Sequence, residues 1–311
     1  MTGGAGFIGS HLVDRLMELD CDVTVLDDFS TGEWANLVRW RDASTLHVVK
    51  GSVCDSKVVE EAVRDTSIVF HLAAIVSVPA SVERPREVLD TNVMGTATVL
   101  DACRIHDVER VVVASSSAVY GDPARLPIDE SIPVAPISPY AVSKLAQEHL
   151  VASFERTYGL SGVALRYFNV YGPRQQPGGY AGVISIFTEQ ALSGRSLTIE
   201  GDGEQTRDFV YVEDVVTATL LASVSQTEPG EVFNVGTGRA LSINGLAQHI
   251  ISLTGGQSST VHVDPRVGDI RHSVASIDRA SERLGFTPSV DIVTGLRRTI
   301  DWMRQQHAAR E

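Results

Sequence analysis

A doubly wound parallel α/β sheet with a smaller lobe toward the C-terminus is the fold class this sequence predicts. Three observations predict it. Apolar, β-branched runs alternate with helix-patterned segments, a glycine-rich turn opens the first helix, and the texture of the chain changes near residue 170. The runs 21–28, 45–51, 67–74, 110–117 and 160–167 are apolar on both faces, as strands of a buried parallel sheet are. Segments 11–19, 56–65, 85–106 and 140–159 between them repeat apolar residues at three- and four-residue spacing, the signature of helices. After them comes the Pro/Gly-rich stretch 171–182, then shorter elements and a closing helix around 295–306, which reads as an appended lobe rather than an independent domain.

Bulk properties narrow the function. At 311 residues and 43% hydrophobic content the chain can fill a substantial core. The formal net charge of -13, without clustered Arg or Lys, argues against nucleic acid and anionic membranes as partners. No apolar stretch approaches the roughly 20 residues that span a bilayer, and the expected location is cytoplasmic. Cys21, Cys54 and Cys103 are far apart and form no CxxC pair, so neither a disulfide framework nor a metal site is expected.

Three motifs carry chemistry. Thr2 to Ser10 reads TGGAGFIGS, holding both GxGxxG and GxxGxxG, and runs straight into a helical segment. Such glycines let backbone approach a pyrophosphate whose charge the helix N-terminus meets. Eighteen residues past Gly9, at the end of the next strand, Asp27 can accept from an adenosine ribose and would repel a 2′-phosphate, which favours NAD over NADP. Only Met1 precedes this turn, so the central strand of such a fold is expected to be missing and the natural start to lie several residues upstream. Next, Tyr140 and Lys144 stand four apart on one helix face, 25 residues after Ser115, and Lys144 is one of three lysines in the chain. A cation beside the phenol and the positive end of a nicotinamide should together lower a pKa of about 10 and let Tyr140 act as a general base. Finally, Ser115, Ser116 and Ser117 end an apolar strand at the edge where ligands bind in parallel sheets, and a hydroxyl there can relay a proton to Tyr140.

With these motifs in place the sequence resembles the extended short-chain dehydrogenase/reductases, a Rossmann-fold family, and within it the UDP-glucose and UDP-N-acetylglucosamine 4-epimerases. The resemblance spans nearly the whole chain through TGGAGFIGSHL, LDDFSTG, FHLAA, TNVMGT, SSSAVYGD, PYAVSKLAQE, RYFNVYGPRQ, GDGEQTRDFVYVEDV, FNVGTG and PRVGDIRHSVASID. It implies an NAD-binding Rossmann unit over 1–168 and a mainly substrate-binding lobe over 169–311, with a return to the first unit around 207–240. Ser116, Tyr140 and Lys144 become the catalytic set. Gly3, Gly6, Phe7, Ile8, Gly9, Asp27, Asp28, Val53, Leu72, Ala73, Ala74, Asn92, Ser115, Tyr140, Lys144 and Tyr167 become the NAD contacts. The UDP-sugar falls to Ser116, Ser117, Tyr140, Asn169, Val183, Ser273 and the diphosphate-clamping Arg207 and Arg266, whose guanidinium forks suit phosphate oxygens.

The resemblance also implies a reaction. Related dehydratases place an acidic pair, and decarboxylases a glutamate, between the catalytic hydroxyl and VYG; here Ser117 and Ala118 stand there. The simplest outcome is 4-epimerisation through a 4-keto sugar with a tightly held NAD. Ser273 stands where a large side chain excludes N-acetyl groups in glucose-restricted relatives, which predicts tolerance of UDP-GlcNAc beside UDP-Glc. Two positions depart from the pattern: Ser52 replaces an acid after the third-strand glycine, and no lysine follows FHLAA. A homodimer is expected, as in relatives. The alternatives are a UDP-uronate epimerase, a reductase or dehydratase that releases its product, and a dinucleotide sensor without catalysis.

Overall fold

The computed structural model describes residues 1–175, 182–265 and 270–308. Its first half alternates as expected: α1 (Phe7–Glu18), β1 (Val23–Asp27), β2 (Leu46–Lys50), α2 (Ser56–Val63), β3 (Ile68–His71), α3 (Val78–Glu83), α4 (Pro85–Leu89), α5 (Gly95–Ile105), β4 (Arg110–Ser116), α6 (Pro139–Tyr158) and β5 (Gly162–Tyr167). The expected single helix over 85–106 is instead α4 and α5 joined by a π turn, Asp90–Met94. The remainder holds β6 (Asn169–Tyr171), α7 (Val183–Leu192), β7 (Leu197–Glu200), β8 (Thr206–Arg207), β9 (Phe209–Tyr211), α8 (Val212–Val224), β10 (Val232–Val235), β11 (Leu241–Ser242), α9 (Ile243–Thr254), β12 (Thr260–Val263), α10 (Asp278–Leu284) and α11 (Ile292–Ala308).

Parallel pairing runs β2-β1 on one side and β3-β4-β5-β10 on the other. Thr2 joins the two sides, bridging in parallel to Leu26 of β1 and His71 of β3, with its N–H donating to Phe70 O at 2.9 Å. The backbone of Met1 to Gly3 thus pairs between β1 and β3, with Leu26 N donating to Met1 O and Gly3 N to Leu26 O, and the Met1 nitrogen donates to Thr24 O.

Strand alternation builds a core on each face of the sheet. Phe70, Val112, Val163 and Leu165 pack with α1, α8 and α10, while Val69, Val111 and Val113 pack with α2, α5 and α6. Each such fully buried side chain stabilises the fold by about 1.5–3 kcal/mol. A third core, from Tyr171 through Leu296, lies among α7, α9, α11, β7 and β9. α6 owes its ends to local chemistry. Ser138 accepts from Ala141 N, Pro139 opens the first turn, and Gly159 closes the last at φ 76°.

Candidate active site

The glycine turn is dictated by space. Gly3 has φ +71°, and a Cβ there would lie 2.7 Å from Ala73 N; one on Gly9 would lie 2.1 Å from Gly3 O. Gly6 precedes α1 without a side-chain cap, leaving the helix N-terminus open to an anion. Leu72, Ala73 and Ala74 continue from β3 against this turn, where Leu72 N donates to Thr2 O and Ala73 N to Thr2 Oγ1. Phe7 meets His11 edge-on and Ile8 joins the cores, so what these two can offer a ligand is backbone N–H. Asp27 is 8% exposed and its carboxylate accepts from Ala5 N at 2.8 Å and Phe29 N at 2.9 Å. Burial raises its pKa against those bonds. Asp28 is exposed and turned to Ser30. Val53 lies buried against Gly95. The glycine cradle, the uncapped helix and the strand-end carboxylate fit a dinucleotide.

Ser116 ends β4, and its Oγ accepts from Ala118 N at 3.2 Å; Ser117 opens the short turn Ser117–Tyr120. Tyr140 and Lys144 face this strand end from α6. Lys144 Nζ donates to Ala114 O at 2.7 Å and sits 6.0 Å from the Tyr140 ring centre, and Ser116 is near enough to the Tyr140 phenol to act on its titration. Among the protein's own groups burial is the largest influence on the Tyr140 phenol and raises its pKa, with Ser116 acting against it, because the phenolate is taken out of water. Burial likewise lowers Lys144 to about 7, opposed by Glu148.

Three expected cofactor contacts have polar groups engaged inside the protein. Asn92, fully buried in the π turn, accepts from Ile75 N and donates to Ile75 O and Ser143 Oγ. Tyr167 donates to or accepts from Thr219 Oγ1 at 2.7 Å on the α8 side. Ser115 donates to Glu148 Oε1 at 2.5 Å.

The substrate-side residues gather around one carboxylate that sequence reasoning missed. Asp208 is fully buried and accepts from Thr237 N, Thr237 Oγ1, Gly238 N and Ala275 N at 2.6–3.1 Å. It ties β8 and β9 to the turn after β10 and to 273–275. Asn169 N and Nδ2 both donate to Asp208 O, Ser273 N donates to Thr206 O, and Arg207 donates to Thr206 O. Val183, half-buried, begins α7. Arg266 lies outside the described residues. Glu148 was missed too, although an acid four residues after Lys144 on the same helix face was a readable signal.

Among the described residues no helix is long and apolar enough to cross a membrane. Residues 1–236 match the NAD dependent epimerase/dehydratase family. The chain is 40% identical over 308 residues to a UDP-glucose 4-epimerase of Mycolicibacterium smegmatis, covering 98% of each. It superposes at TM-score 0.93, with 40% identity and 98% of both chains covered, on the UDP-glucose 4-epimerase of Thermotoga maritima solved with UDP-glucose. It also superposes at TM-score 0.94, with 40% identity over 98% of this chain and 97% of the other, on a UDP-N-acetylglucosamine 4-epimerase of Methanobrevibacter ruminantium solved with UDP-N-acetylmuramic acid. With most of its length matched and the glycine turn and Tyr-Lys pair assembled at one sheet edge, the chain belongs to the NAD-dependent epimerase/dehydratase family of Rossmann-fold enzymes.

Proposed function

We propose that this enzyme interconverts UDP-hexoses at C4, taking UDP-Glc/UDP-Gal and, with Ser273 leaving room for an N-acetyl group, UDP-GlcNAc/UDP-GalNAc. The observation that carries the reading is the convergence of Ser116, Tyr140 and Lys144 at the carboxyl end of β4, with Ser117 and Ala118 beside them and no acid to drive loss of water.

NAD supplies the reversible oxidation and reduction at C4. Gly3, Gly6 and Gly9, the N–H groups of Phe7 and Ile8, and Asp27 hold it, with Asp28, Val53, Leu72, Ala73 and Ala74 beside them. Tyr140 accepts the proton of the C4 hydroxyl and returns it, through or alongside Ser116 Oγ. Lys144 stabilises the phenolate when the closed site excludes water, which strengthens its field. Arg207 and Arg266 hold the diphosphate while Asn169 and Val183 leave the hexose room to present either face. Ser115, Asn92 and Tyr167 support these groups from behind.

A homodimer accompanies this reading, supported by exposed apolar side chains on neighbouring elements, Met94 at the end of the π turn, Ile105 at the end of α5 and Val142 on α6. Incubation with UDP-Glc, UDP-GlcNAc and UDP-GlcA in turn, followed by chromatography, tests the assignment. The 4-epimers of the first two are expected without added reductant; a dehydrated sugar or free NADH would transfer the enzyme to the dehydratase or reductase branch.

A further inference from the structure

Behind the Tyr140–Lys144 face lies a set of charges that the proposed reaction leaves unused. Glu148 on α6 and Arg166 on β5 are 6% and 5% exposed. Arg166 grips the carboxylate through Nε at 2.9 Å and a terminal nitrogen at 2.7 Å. The same carboxylate accepts from Ser115 Oγ. The other terminal nitrogen of Arg166 donates to Tyr120 Oη at 2.8 Å, which donates to Asn234 Oδ1 at 2.7 Å. One carboxylate therefore joins the helix of Tyr140 and Lys144 to the strand end of Ser115 and Ser116. Packing gives no reason for it, since apolar residues of similar volume commonly stabilise such a place at least as well as a buried ion pair.

We infer that Glu148 is a positioning residue of this active site: held by Arg166 and Ser115, it sets the end of β4 against α6 and serves as the counter-charge of Lys144. The inference rests on the catalytic reading of Tyr140 and Lys144 given above. The charged and titratable groups around Lys144 are Tyr140 and Glu148 on its own helix, His71 on β3 with the N-terminal ammonium beside it, and Arg166 on β5. His71 is held neutral by burial, by Lys144 and by that ammonium. Glu148 is the group that favours the Lys144 ammonium. Removing its charge weakens the hold on the ammonium, so the limb of the rate profile that Lys144 sets moves to lower pH.

The test compares wild type, Glu148→Gln, the double variant Glu148→Gln/Arg166→Met and Ser115→Ala. The readouts are kcat and KM against pH and the NAD retained after purification. Glu148→Gln is expected to lower kcat at pH 7 about tenfold, the scale of a small misalignment of reacting groups. The limb of its profile that Lys144 sets should move to lower pH while KM and NAD content stay within about twofold of wild type. Where that variant fails to fold with Arg166 left unpaired, the double variant, which buries no charge, is read instead and should show a smaller shift of the same sign. Ser115→Ala is expected to lower kcat about threefold, consistent with one lost hydrogen bond. Folded variants with wild-type kcat and pH profile, or with losses confined to KM and NAD content, overturn the inference while leaving the proposed function standing. A wild type inactive on every sugar nucleotide overturns both.

Discussion

Two buried carboxylates organise the two sides of this site, and they do so differently. Glu148 is paired with a guanidinium and links a helix to a strand, elements that are each already made rigid by their own regular hydrogen bonding. Asp208 has only neutral donors, three backbone N–H groups and one hydroxyl, and links segments otherwise joined by a two-residue ladder and single bridges. The catalytic side thus uses a charge to tune and register a rigid frame, whereas the substrate side uses one to create the frame. Removing a carboxylate should therefore change chemistry on the first side and architecture on the second.

The largest expected effect belongs to the catalytic side alone. Tyr140→Phe should lower kcat about 10³-fold, within the range for loss of a general base, with an unchanged melting temperature and unchanged NAD content. A variant that also melts early would dissolve the distinction, because Tyr140 would then be structural as well. On the substrate side Asp208→Ala leaves the Thr237, Gly238 and Ala275 donors without an acceptor in a buried place. It should cost about 3 kcal/mol in urea unfolding and raise KM for the sugar nucleotide more than it lowers kcat. An equal fall in kcat with unaltered KM and stability would show that the loops hold themselves.

Lys144 sharpens the comparison through pH. Its folded-state value, about 7, lies below the ordinary 10.5, so the unfolded chain binds more protons between these values. Stability from this group therefore rises as pH climbs from about 7 toward 10.5 and is lost as pH falls back. Lys144→Met should stabilise the inactive protein at pH 7 by on the order of 2 kcal/mol, and the gain should vanish near pH 10. Equal stabilisation at both pH values would mean that the lysine costs the fold through packing, not charge. The smallest effect is expected from Ser138→Ala. Loss of the cap on α6 should cost about 1 kcal/mol and leave KM unchanged, since the substrate loops do not depend on that helix end.

Much of the catalytic side was legible before folding because it is written at fixed spacings. Glycines at 3, 6 and 9, Asp27 at a strand end, and Tyr140 and Lys144 four apart each occupy places that local geometry determines. Spacing brings Lys144 near Tyr140, but the burial of the phenol, which raises its pKa, is not read from spacing. Asn92, Ser115 and Tyr167 stand close to the expected site, yet the partners of their polar groups, Ile75, Ser143, Glu148 and Thr219, come from other elements. The break of the 85–106 helix into α4, a π turn and α5 escaped the periodicity because one wide turn hardly disturbs an apolar repeat.

The sequence by itself determined the alternation of strands and helices, the dinucleotide turn, the cofactor preference and the four-residue spacing of Tyr140 and Lys144. All of these follow from residue type and short-range periodicity. Only the tertiary structure decided that Thr2 lies between β1 and β3, that Glu148 and Arg166 pair behind Tyr140 and Lys144, and that Asp208 joins three segments. Those depend on which polar groups meet when the chain closes, and burial gives each such meeting its energy without leaving a periodic mark along the chain.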